Sequence, residues 1–94
     1  MPMRQCTLDG KTIRSLDDLY DQLSIQLSLP EHFGRNLDAL WDVFSTDVEG
    51  PFEIVWKHTG DSKKAMGKDF ERVVKLLQEL EKERDDFTLR TENI

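Results

Sequence analysis

The spacing of apolar residues changes repeatedly along this chain, and each change marks a predicted element. Gln5 to Leu8 is a short apolar and threonine run closed by the turn dipeptide Asp9-Gly10, which predicts a first strand. Ser15 stands three residues before Asp18 in an N-cap arrangement. From there Leu16, Leu19, Tyr20, Leu23 and Leu27 recur at helical spacing until Pro30 stops the helix. Residues 31–35 carry no period; Gly34 is expected to supply the conformational freedom of a tight loop, and Asn36 to cap a short second helix over residues 37–44. Leu37, Leu40, Trp41 and Phe44 form its expected buried stripe. Gly50-Pro51 ends that region, and the aromatic and β-branched residues 52–56 predict a second strand. Residues 58–68 are polar and read as a connection with a short helical turn at 62–66. Phe70, Val73, Val74, Leu77 and Leu80 then repeat at i, i+3, i+4, i+7 and i+10, predicting a long last helix from about 69 to 84, and residues 87–89 a final strand.

Strands alternating with helices predict an α/β domain with a small parallel sheet, right-handed crossovers, and helices on one or both faces. A chain of 94 residues fits a single domain over residues 1–94, burying roughly 65% of the surface its unfolded form exposes. Charge narrows the function. With 13 Lys and Arg against 19 Asp and Glu, the net charge of −6 repels nucleic acid and anionic membranes and favours a basic partner. The one cysteine, Cys6, has no internal disulfide partner, and the first six residues lack the apolar run of a signal peptide. A soluble cytoplasmic protein is expected.

The candidate chemistry is an acidic cluster, Asp38, Asp42, Asp47 and Glu49, interleaved with Trp41 and preceded by the His32-Phe33 loop. Asp38 and Asp42, four apart, stack on one helix face, where like charges cost a few tenths of a kcal/mol, and Arg35 is the nearest cation in sequence. The spacing alone favours a solvated helix face. It also suits insertion into a basic, phosphate-binding cleft, because each carboxylate can accept paired hydrogen bonds from Arg as a phosphate would. An acid and base pair is disfavoured, since no Ser, Cys or Lys nucleophile stands in a recognisable frame around it. Neither His32 nor His58 has metal-ligand spacing, so no metal and no cofactor are expected. Trp56 reads as core, and Cys6 as a small buried residue rather than a reactive thiol.

The run Leu29-Pro30-Glu31-His32-Phe33-Gly34-Arg35-Asn36-Leu37-Asp38-Ala39-Leu40-Trp41-Asp42 closely resembles the signature of the barstar family, intracellular inhibitors of barnase-type ribonucleases. The similarity extends upstream through residues 9–15 and downstream through Gly50-Pro51 to Trp56 and the last helix. The resemblance implies a three-stranded parallel sheet packed against helices, and a binding face made of the second helix and the loop before it. It also implies that Asp42 is the principal carboxylate, with Asp38 its acidic neighbour. His32, Gly34 and Asn36 would line the interface, and Glu79 in the last helix would add an acidic contact. His32 stands where the best-known member has a tyrosine, Arg35 replaces an acidic residue, Thr46-Asp47 takes the place of an interface tryptophan, and Val43 that of a cysteine.

The reading that follows is a non-enzymatic inhibitor, monomeric before binding, that blocks a basic extracellular-type ribonuclease or a related nuclease toxin. His32, Phe33 and Trp41 would exclude water around the aspartates. The alternative is an acidic interaction or immunity module of the same fold that binds a different nuclease toxin or another basic regulator.

Overall fold

A computed structural model describes residues 4–93. Met1 to Met3 and Ile94, which the expected single domain includes, lie outside the described residues. Three strands, β1 (Arg4–Asp9), β2 (Phe52–Lys57) and β3 (Phe87–Thr91), form one sheet in the order β1-β2-β3, with both pairings parallel. Helices α1 (Leu16–Leu27) and α2 (Leu37–Thr46) connect β1 to β2, and α3 (Thr59–Met66) and α4 (Lys68–Glu83) connect β2 to β3. This is the predicted α/β architecture, with the three-stranded parallel sheet that the family resemblance implied. Three elements differ from the sequence reading by two residues or more, one of them β3, which continues past Leu89 to Thr91. Helix α2 runs two residues past Phe44, and the expected short turn at 62–66 is a full helix of 8 residues. Only Ser62 and Met66 of α3 are buried, so an almost wholly polar sequence concealed it.

Strand alternation sorts side chains cleanly. Across the sheet, Cys6, Ile54 and Leu89 share one register row and Leu8, Trp56 and Thr91 the next, and the apolar members of these rows point into the core. The opposite face carries Gln5, Glu53 and Thr88 in register, and the Gln5 amide donates to Glu53 at 2.8 Å. Gln5, Thr7, Thr88 and Arg90 are exposed there, with Val55 the buried member between Thr7 and Arg90. Parallel sheets are usually covered on both faces; here the layer of helices lies on one. Both outer strands are met by side chains. Gln26 of α1 accepts from the Thr7 N–H and donates to the Thr7 carbonyl, and Glu81 of α4 accepts from the Leu89 N–H. These bonds occupy backbone groups that an open edge would offer to another strand.

At the carboxyl end of the sheet the chain passes very close to itself. A Cβ on Gly10 would lie 1.9 Å from the His58 carbonyl oxygen, so only glycine fits, and the Gly10 N–H donates to the Lys57 carbonyl at 2.8 Å. Beneath this crossing sits fully buried Ser62. Its hydroxyl accepts from the Trp56 indole N–H at 3.2 Å and lies 2.8 Å from the Ile13 carbonyl and 3.1 Å from that of Gly10. One serine thereby joins β2, α3 and the β1–α1 turn. Trp56 is a core residue, as its sequence context indicated, and burial pushes the Cys6 thiol up from 9.0 to about 12, which keeps it protonated and inert.

Ser62→Ala should destabilise the protein by about 1–3 kcal/mol, because it strands a buried indole N–H. Urea unfolding followed by tryptophan fluorescence measures this directly.

Candidate functional site

The loop that precedes α2 is built from the inside. Phe33 is only 9% exposed, and its ring stands edge-on to that of Tyr20 of α1, with centroids 5.5 Å apart. Phe33 therefore anchors the loop to the core instead of presenting a free ring, which corrects its expected place beside His32 as a cover over the aspartates. His32 is exposed. The left-handed backbone position is Arg35, with φ of 51°, and not Gly34 as expected; a Cβ on Gly34 would meet that of Ala39 at 3.3 Å. The strain at Arg35 is offset by its side chain, which reaches back to α1. Its guanidinium lies 3.0 Å from the Asp21 carboxylate and 3.5 Å from that of Asp17, donates to the Asp17 carbonyl, and stacks 5.6 Å from the centre of the Tyr20 ring. Burial, followed by the charges of Asp69 and Asp17, pushes the Tyr20 phenol above its ordinary 10.0.

Asn36 caps α2 as its position suggested: its side-chain oxygen accepts from the Ala39 N–H at 2.8 Å, and its amide donates to the Gly34 carbonyl. The helix then buries Leu40, Val43 and Phe44, while Leu37 and Trp41 are half-buried. Val43 was missing from the expected stripe, and Leu37 and Trp41 are less enclosed than that stripe implied. Asp38 and Asp42 are exposed, one turn apart on the same face. Among the described residues neither makes an ion pair, because Arg35, the nearest cation in sequence, is committed to α1. Asp38, in the first turn, also benefits from the helix dipole.

The structure gathers some of the other expected residues and separates one. Asp38, Trp41 and Glu79 line a single groove of about 290 Å³ between α2 and α4. Arg72 and Lys75 border the same groove, two cations the sequence reading did not place there. Asp47 is the C-cap of α2, five residues beyond Asp42, and at 3.6 residues per turn it is rotated about 140° away from it. It does not share the face of Asp38 and Asp42. Among the described residues no cluster of three His, Cys, Asp or Glu side chains is arranged to hold a metal, and no helix is long and apolar enough to cross a membrane.

The far end of α2 depends on a residue that sequence reasoning missed. Arg84, just after α4, donates to the Phe44 and Val48 carbonyls at 2.7 Å each and makes a two-pronged pair with Asp86, both contacts at 2.8 Å. Its guanidinium also lies 5.0 Å from the centre of the Phe52 ring. The last turn of α2 holds no cation of its own, so Arg84 supplies the positive charge that a helix C-terminus favours. Its only sequence signal was a cation at the end of a long helix, which says nothing about a partner 40 residues away.

Beside the three-stranded parallel sheet stand a helix with two exposed carboxylates outside any ion pair among the described residues and a loop pinned to the core. The chain belongs to the barstar family: residues 3–92 match the family described as Barstar (barnase inhibitor). It is also 34% identical over 88 residues, covering 93% of this chain and 97% of the relative, to a Bacillus subtilis (strain 168) protein named "Putative ribonuclease inhibitor YrdF". The family is one of inhibitors, not enzymes.

Arg84→Met should cost about 2–4 kcal/mol, since it leaves the Phe44 and Val48 carbonyls without their donor. The pair of Arg84 with Asp86 imposes a pH dependence. Hydrogen bonds from Arg84 hold the Asp86 carboxyl below its ordinary 3.8, so its contribution is complete above that value and is lost as pH falls through the lower, folded-state value. Acid titration of stability should show a shallower loss in Asp86→Asn than in the parent protein.

Proposed function

We propose that this protein inhibits a basic, barnase-type ribonuclease by seating the acidic face of α2 in the enzyme's phosphate-binding cleft. Asp42 accepts hydrogen bonds from the cleft's Arg and Lys groups. Asp38 adds charge at the dipole-favoured end of the helix, and Glu79 extends the acidic rim from α4. His32, Gly34 and the Asn36 turn form the adjoining edge, Phe33 holds that edge in place from beneath, and half-buried Trp41 supplies the apolar contact. Asp47, turned away from this face, acts through the long-range field. The observation that carries the reading is the pair of exposed carboxylates left without a cation while the adjacent Arg35 is tied to α1. Membership of the barstar family and the name of the Bacillus relative support the same target class.

The reading needs no covalent step and no cofactor. It treats residues 1–94 as one domain that is monomeric until it meets the enzyme, and it places that domain in the cytoplasm of the cell it protects. The net charge of −6 steers the encounter with a basic enzyme, so association slows as salt shortens the Debye length to about 8 Å at physiological strength.

Asp42→Ala should leave the melting temperature nearly unchanged and weaken inhibition of a barnase-type ribonuclease by more than about tenfold, as truncation of a central hot-spot residue does. Glu53→Ala, which removes a carboxylate from the outer face of the sheet, should change inhibition little. Steady-state inhibition assays at low and moderate salt compare the two; equal losses in two folded variants would contradict the assignment.

A further inference from the structure

The acidic character of the chain is not shared by its whole surface. From Lys57 to Lys68 the sequence holds four lysines, His58 and a single acid, Asp61, and the β1–α1 turn adds Lys11 and Arg14. The close crossing at Gly10 brings these two segments together at the carboxyl end of the sheet. There Lys11, Arg14 and Lys64 line one groove of about 370 Å³ with Gly10, Asp61 and Ala65. Among the described residues, none of the three cations makes an ion pair. Asp9, the nearest carboxylate in sequence, accepts from the Lys11 backbone N–H instead.

Unpaired like charges facing one groove repel each other, so their convergence raises the free energy of the empty site and lowers that of an anion-filled one. The chemistry of the set is specific. Arg offers a planar fork that matches two phosphate oxygens, and the two lysines add point charges around it. At about 370 Å³ the groove has room for a compact anion and part of its hydration shell. A long polyanion is a poorer fit, because its flanks would run into the field of a chain carrying −6 overall.

We propose that the groove formed by Lys11, Arg14 and Lys64 is a binding site for a compact, multiply charged phosphate anion of the pyrophosphate type, such as a nucleoside diphosphate presents. It is built by the β1–α1 turn and α3, whereas the acidic face belongs to α2.

Isothermal titration calorimetry with inorganic pyrophosphate at low ionic strength tests this on the intact protein. The parent should show saturable one-to-one binding, with dissociation on the order of 1 mM or tighter. Arg14→Gln/Lys64→Gln should weaken it by about tenfold or more, whereas Lys82→Gln plus Lys75→Gln, an equal change of charge on α4, should leave it within about twofold. Thermal melts of both variants confirm that each is folded. Absence of saturable binding by the parent, equal losses in the two double variants, or binding of a single-stranded RNA oligonucleotide without any of pyrophosphate would overturn the proposal.

Discussion

The placement of the acidic helix rests on one guanidinium. Helix α2 has an acidic cap, Asp47, at the end where its own dipole is already negative, and Glu49 follows close behind. Left alone, that end would be a poor place to fix a helix against a core. Arg84 reverses the local field: it donates to two carbonyls at the end of α2, lies over the Phe52 ring on β2, and is itself held by Asp86 just before β3. A single side chain thus ties α2, α4 and two strands together. At the other end Asn36 caps the helix and Phe33 anchors the preceding loop, so both ends of α2 are constrained.

Fixing both ends matters because the exposed face between them gains nothing from within the chain. Asp38 and Asp42 repel each other and, among the described residues, make no ion pair, so a partner's cations would stabilise them without displacing one. The rigid mounting lowers the ordering cost of association. Arg35, the nearest cation in sequence, instead pairs with Asp17 and Asp21, and it adopts a left-handed backbone conformation in doing so.

Much of this was legible in the sequence, and the failures share a cause. The periods of α1, α2 and α4 and the alternation of the strands are local signals, and they located the sheet, the caps at Ser15 and Asn36, and the face bearing Asp38 and Asp42. Helix α3 was read only as a short turn at 62–66 because it buries too few side chains to show a period. The inward turn of Phe33, the pairing of Arg35 with α1 and the reach of Arg84 to α2 are settled by contacts between residues distant in sequence. No window of neighbouring residues contains them. The displacement of the left-handed position from Gly34 to Arg35 has the same origin, since the bonds of Arg35 to α1 help offset a conformation its own propensity disfavours.

The most direct test of the account is an NMR titration of the isotopically labelled protein with a catalytically inactive barnase-type ribonuclease, read residue by residue along the backbone. The largest shift changes should fall on His32, on residues 36–42 and around Glu79, with residues 57–68 nearly silent. Changes centred on α3, with the Asp38 and Asp42 amides unmoved, would contradict it.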